Sequence, residues 1–105
     1  MAKIIVIIVS AENDKINVAL NFAKRQSEAG SDMRVLLFGP SEKAVAESPD
    51  LMSRFLEFGS IKPKACTFVA KNAGIEEKLS KGFELLPAGQ YITKSIDEGY
   101  QSISF

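Results

Sequence analysis

The sequence predicts an α/β domain with three layers, α/β/α, around a five-stranded, mainly parallel sheet. Two observations carry this expectation. The run Ile4 to Val9 is unbroken in β-branched residues. A strand exposed on one face would alternate, so this one is expected to be covered on both faces, as in the centre of a parallel sheet. Strand-like and helix-like segments then alternate along the chain in the order β-α-β-α-β-α-β-α-β, with connections long enough for crossovers.

Each element has its own local reason. After the first strand, the polar loop Ser10-Ala11-Glu12-Asn13-Asp14 ends in good N-cap residues. A helix is predicted from there to about Glu28, with Ile16, Ala19, Leu20 and Ala23 on one face and Phe22 on its shoulder. Gly30 supplies the stop. Val35-Leu36-Leu37-Phe38 reads as a second buried strand, closed by Gly39-Pro40, and Ser41 as the cap of a short helix through Ala46. Ser48 caps the next helix with Pro49 at its first position, and Leu51, Phe55 and Phe58, flanked by Met52 and Leu56, form its apolar face. That face belongs to the core or to a subunit interface. Gly59 ends this helix.

The third strand is Lys64 to Cys66 or Thr67, opened by Pro63. A helical stretch follows, interrupted by Gly74 and stopped by Gly82, and Phe83-Glu84-Leu85-Leu86 is the fourth strand. Pro87-Ala88-Gly89 turns into a helix bearing Tyr91, Ile92 and Ile96, which Gly99 ends. Tyr100 to Phe105 alternates polar and apolar residues, as a half-exposed edge strand does. The 105 residues read as one domain, without internal repeat, low-complexity tract or linker.

Composition excludes whole classes of chemistry. Thirteen basic and thirteen acidic residues cancel, so no global field draws nucleic acid or an acidic membrane. There is no histidine, which removes His-based triads, His general bases and zinc sites from a single chain. No metal and no cofactor is expected. The apolar run at the N-terminus is too short to span a bilayer and lacks a small-residue cleavage pattern. With one cysteine no intrachain disulfide can form, and a cytoplasmic location is expected.

In a parallel sheet the working residues gather beyond the carboxyl ends of the strands. Here those positions are Ser10 to Asn13, Gly39 and Pro40, Cys66 and Thr67, and Pro87 to Gly89, so the strand-end cleft is expected to include Ser10, Asn13, Gly39, Pro87 and Gly89. The first loop has no glycine and carries Glu12, so it is neither a P-loop nor a dinucleotide fingerprint, and it lacks the hydroxyls a flavodoxin uses for phosphate. A receiver domain needs an aspartate where this chain has Cys66. Glu76 and Glu77 read as the solvent face of a lysine-rich helix, and Tyr91 and Tyr100 as packing residues.

Cys66 is the only strong nucleophile among these positions. A thiol at a strand–helix junction faces the N–H groups of the first helical turn, whose partial positive charge favours thiolate. Lys64 and Lys71 are close in sequence and are expected to add to that field, with Thr67 and Asn72 in support. Thr67 could donate to the sulfur or cap the helix. A lone cysteine also serves as a small buried hydrophobe, so structural and reactive roles both stand at this point.

The first strand with its loop Ser10 to Lys15, Val35-Leu36-Leu37-Phe38-Gly39, Ala65-Cys66-Thr67 with Gly74-Ile75, and the closing segments Gly82 to Gly89 and Asp97 to Tyr100 resemble the DsrE/DsrF-like family of small sulfur-relay proteins, which includes YchN-like and Tus-type subunits. The resemblance spans nearly the whole chain. It implies a DsrEFH-like parallel α/β/α fold, flavodoxin-like in appearance, and a cytoplasmic homo- or hetero-oligomer, with a homo-oligomer (dimer, trimer or hexamer) expected. Members with a cysteine at the position of Cys66 carry sulfane sulfur as a persulfide; others lack it and serve as structural partners. The implied partners are sulfur donor and acceptor proteins or low-molecular-weight persulfides, with no nucleic acid and no membrane. Because there is no second cysteine, the acceptor thiol lies on another molecule. The alternatives are a non-catalytic assembly module with Cys66 structural and Leu51 to Phe58 as interface, and a small-ligand or nucleotide binder at the strand ends.

Overall fold

The computed structural model describes residues 1–105. The elements run β1 (Lys3–Ile8), α1 (Asn13–Glu28), β2 (Asp32–Leu37), α2 (Pro40–Ala46), α3 (Pro49–Leu56), β3 (Lys64–Cys66), α4 (Thr67–Ala73), α5 (Glu76–Leu79), β4 (Glu84–Leu86), α6 (Ala88–Asp97) and β5 (Gln101–Ser104). The five strands form one sheet in the order β4-β3-β2-β1-β5, and every pairing is parallel. β1 lies between β2 and β5, which explains its unbroken apolar character: Ile5, Val6 and Ile8 are wholly buried.

The strand order decides where the helices go. From β1 to β4 each step moves the same way across the sheet, and right-handed crossovers put all the intervening helices on one face. The last connection returns across the whole sheet to β5, so α6 falls on the other face. The cores record this division. The larger one joins Val6, Ile8, Val35 and Leu37 to residues of α1 through α5, with Phe55 at its centre. Phe55 lies 5.3 Å from Phe58 and 5.2 Å from Phe83, ring centre to ring centre. The smaller core joins Ile5, Ile7, Leu36 and Cys66 to Ala88 of α6 and to Tyr100, with Tyr91 and Ile92 packed against it. One face therefore carries five helices and the other a single helix of 10 residues.

Local signals met mixed outcomes. Ser48 caps α3 as expected, its hydroxyl accepting the Leu51 N–H at 3.2 Å. Ser41 does not cap α2: Gly39 stands at that position, and the Ser41 hydroxyl donates to the Ile8 carbonyl, tying α2 to the end of β1. The cap of α1 is Glu12 rather than Asn13 or Asp14, and Ser10 accepts the Glu12 N–H at 3.0 Å. β2 begins three residues before the apolar run, at Asp32, because β1 offers a pairing partner for each residue from Lys3 onward. Phe38 falls outside it and is 37% exposed. Leu51, Phe55 and Phe58 are buried within the chain's own core, the first of the two roles expected of this face; of that stretch only Leu56 is a large exposed apolar residue. Ile96, grouped by periodicity with Tyr91 and Ile92, also faces outward.

Candidate functional site

Cys66 stands where the sequence places it. It is the last residue of β3 and the N-cap residue of α4, with an extended backbone (φ −74°, ψ 122°) and no side-chain capping bond. Its side chain points to the face covered by α6. It pairs with Leu86 of β4 and packs with Ile5, Ile7, Leu36, Ala88 and Tyr100. Only 3% of the residue is exposed, so the free thiol is enclosed by apolar groups in this conformation.

The ionisable group bonded at Cys66 is a carboxyl that sequence reasoning missed. Glu42, in the first turn of α2, is wholly buried. Its Oε2 accepts the Cys66 N–H at 3.3 Å, while Oε1 has no hydrogen-bond partner. Burial pushes this carboxyl up to about 7, against the opposing pull of backbone hydrogen bonds from Gly39 and Cys66. A carboxyl that changes charge near neutrality therefore links the start of α2 to the junction of β3 and α4. The signal available in the sequence was small. Glu42 follows a strand-ending Gly39-Pro40 and shares the inward face of its helix with Ser41 and Val45, but an acid in a first turn ordinarily reads as a solvated partner of the helix dipole.

The lysines expected to support Cys66 do not gather around it. Lys64 lies two residues before it, and its ammonium is held 2.8 Å from Glu84 on β4. Lys71 is exposed in the last turn of α4, away from the cysteine end. Thr67 is the first helical residue and forms no side-chain hydrogen bond within the chain; the cap position belongs to Cys66 itself. Asn72 and Gly39 do come together. With Pro40, Lys43, Val69 and Ala73 they line a cleft of about 410 Å³ between α2 and α4. Val69 connects the cleft to Cys66, since it also packs against the smaller core. Gly39 takes φ 95° and ψ −143°, a conformation that glycine alone adopts without strain, and this turns the chain from β2 into α2.

The remaining strand-end positions are spread along the rim. Ser10 lies beyond β1, where the Phe105 carbonyl accepts the N–H groups of Val9 and Ser10. Asn13 is exposed at the start of α1. Pro87 follows Leu86, the pairing partner of Cys66, and caps α6, and Gly89 is exposed one residue into that helix. Val9, Phe38 and Phe68, which follow β1, β2 and β3, are 39%, 37% and 62% exposed, so the carboxyl end of the sheet has an apolar margin. No three His, Cys, Asp or Glu side chains converge as a metal-binding group, and no helix is long and apolar enough to cross a membrane.

Neither a protein-family model nor a curated protein sequence matches the chain. Solved structures do. A conserved protein of unknown function from Bacteroides thetaiotaomicron superposes with a TM-score of 0.84 at 21% identity, over 96% of this chain and 93% of that one. A protein of unknown function from Methanobacterium thermoautotrophicum gives 0.79 at 12% identity, over the whole of both chains. The ychN protein from E. coli gives 0.72 at 16% identity, again with 100% of both chains covered. The chain is thus similar in fold, from end to end, to the ychN protein.

Proposed function

We propose that the chain is a sulfane-sulfur carrier of the DsrE/DsrF-like kind, with Cys66 as the residue that holds the sulfur. The observation that carries this is the position of the only cysteine: the end of β3 and the cap of α4, in a fold similar to that of ychN over both chains. The Cys66 thiolate attacks the outer sulfur of a persulfide, R–S–SH. The new S–S bond gives Cys66–S–SH, and the donor leaves as the thiolate R–S⁻. An acceptor thiolate on another molecule then attacks the same outer sulfur, forms its own persulfide and releases Cys66 as thiolate. No net oxidation occurs in either step. Because Cys66 is buried, exchange requires the first turn of α4 or the start of α6 to move aside. A lone thiol suits a reducing compartment, and the carrier is assigned to the cytoplasm. The test is intact-mass measurement after treatment with inorganic polysulfide. Wild type is expected to gain one sulfur atom and Cys66→Ala none; a wild type that stays unmodified refutes the carrier role.

A second reading is favoured by the 3% exposure of Cys66. In it the cysteine is a small core residue and the chain is a subunit of a homo-oligomer, joined through the apolar margin of Val9, Phe38 and Phe68. A thiol probe that reacts slowly with the native protein and rapidly after unfolding, with no sulfur uptake from polysulfide, selects this reading over the first.

A further inference from the structure

Because α6 is alone on its face of the sheet, it leaves part of that face uncovered. The helix runs about 15 Å from the carboxyl end of β4 to the amino end of β5. The amino ends of β2 and β3 stay open beside it, and a groove of about 380 Å³ lies there. Its volume is in the range of small-molecule sites. Arg34, Lys62, Lys64 and Lys94 line it together with Tyr91, and Asp32 is its one acidic lining residue.

We propose that this groove binds a small phosphate-bearing molecule. Two of the four cations are ion-paired within the chain, Arg34 with Glu98 and Lys64 with Glu84, and two are not. Arg34 makes both of its side-chain bonds through one nitrogen, Nη1, to Ser95 at 2.9 Å and Glu98 at 2.8 Å. Its Nε and Nη2 form no ion pair within the chain. The guanidinium is also held in place by aromatic rings, 4.0 Å from the centre of Tyr100 and 5.6 Å from that of Tyr91. A planar donor fixed in this way presents a fork that suits phosphate oxygens. Lys64 is neutralised by Glu84, but Lys62 and Lys94 have no ion-pair partner. Asp32 is occupied by the Tyr100 hydroxyl at 2.6 Å. The two free lysines come to the groove from different elements, Lys62 from the loop before β3 and Lys94 from the helix α6.

The site lies at the opposite ends of the strands from the α2–α4 cleft and depends on no sulfur chemistry. The test is amide chemical-shift titration of the full chain with inorganic phosphate, pyrophosphate and a sugar monophosphate, against sodium chloride at matched ionic strength. Saturable shifts at Ser60 to Lys62, at Lys64 and at Lys94 are expected. The tighter of the phosphate arms tells a free from an esterified ligand. Lys62→Ala combined with Lys94→Ala, both exposed positions, is expected to weaken binding by about tenfold or more through loss of two nearby charges. Shifts that sodium chloride reproduces, or an affinity that the double variant leaves unchanged, overturn the proposal.

Discussion

Replacing Glu42 by glutamine isolates the energetic consequence of a buried carboxyl beside Cys66. A carboxyl ordinarily near 4.5 that is pushed up to about 7 by burial resists ionisation in the folded chain by roughly 3 kcal/mol, at about 1.4 kcal/mol per pH unit. Between pH 4.5 and 7 the unfolded chain has given up this proton and the folded chain still holds it. Stability contributed by this group therefore falls as pH rises through that window and levels off above about 7. Glutamine keeps the shape and an oxygen for the Cys66 N–H but does not ionise. Its effect is read from the difference between the two proteins, in which the other titrating groups cancel. From about pH 5 to about pH 8 the stability of Glu42→Gln relative to wild type should rise by roughly 2–3 kcal/mol. Urea denaturation followed by far-ultraviolet circular dichroism at four pH values in that range measures it. A difference that stays constant within about 0.5 kcal/mol across the range refutes the assignment of a buried, proton-holding carboxyl.

Gly39→Ala should destabilise the chain by about 1–3 kcal/mol, the cost of a backbone conformation that a Cβ disfavours; the added Cβ itself meets only Val9 Cγ1 at 3.5 Å, an ordinary contact. The shift of the urea midpoint tests this, and an unchanged midpoint argues that α2 relaxes freely. Phe55→Ala should cost about 3–5 kcal/mol, since the ring is 1% exposed and touches both Phe58 and Phe83. A loss below about 1 kcal/mol shows that the larger core closes over the gap.

The fold was legible because its cause is local. A short, unbroken β-branched run that ends in a polar loop favours a strand covered on both faces, and Ser48-Pro49 starts a helix by bonds made within four residues. The position of Cys66 at a strand–helix junction was legible for the same reason. What surrounds Cys66 was not. Lys64 looked like a supporting cation from its nearness in sequence, but β4 brings Glu84 directly opposite it. Glu42 carried no local sign of its role, and it is buried because α2 tucks under the junction from 24 residues away. Asn72 and Gly39 were both named as site residues without any sign that one cleft holds them.

By itself the chain's order of residues determined the α/β class, the parallel central strand, the junction that holds the only thiol, and the absence of histidine chemistry. Those properties follow from periodicity, capping and composition, which act over a few residues at a time. The tertiary structure alone decided that the thiol is enclosed, that a carboxyl titrating near neutrality is bonded at its main chain, and that four cations share a groove beside α6. Burial and electrostatics depend on which distant segments meet: α6, on the return of the chain to β5, covers the thiol and borders the groove, and α2 brings Glu42 to the end of β3.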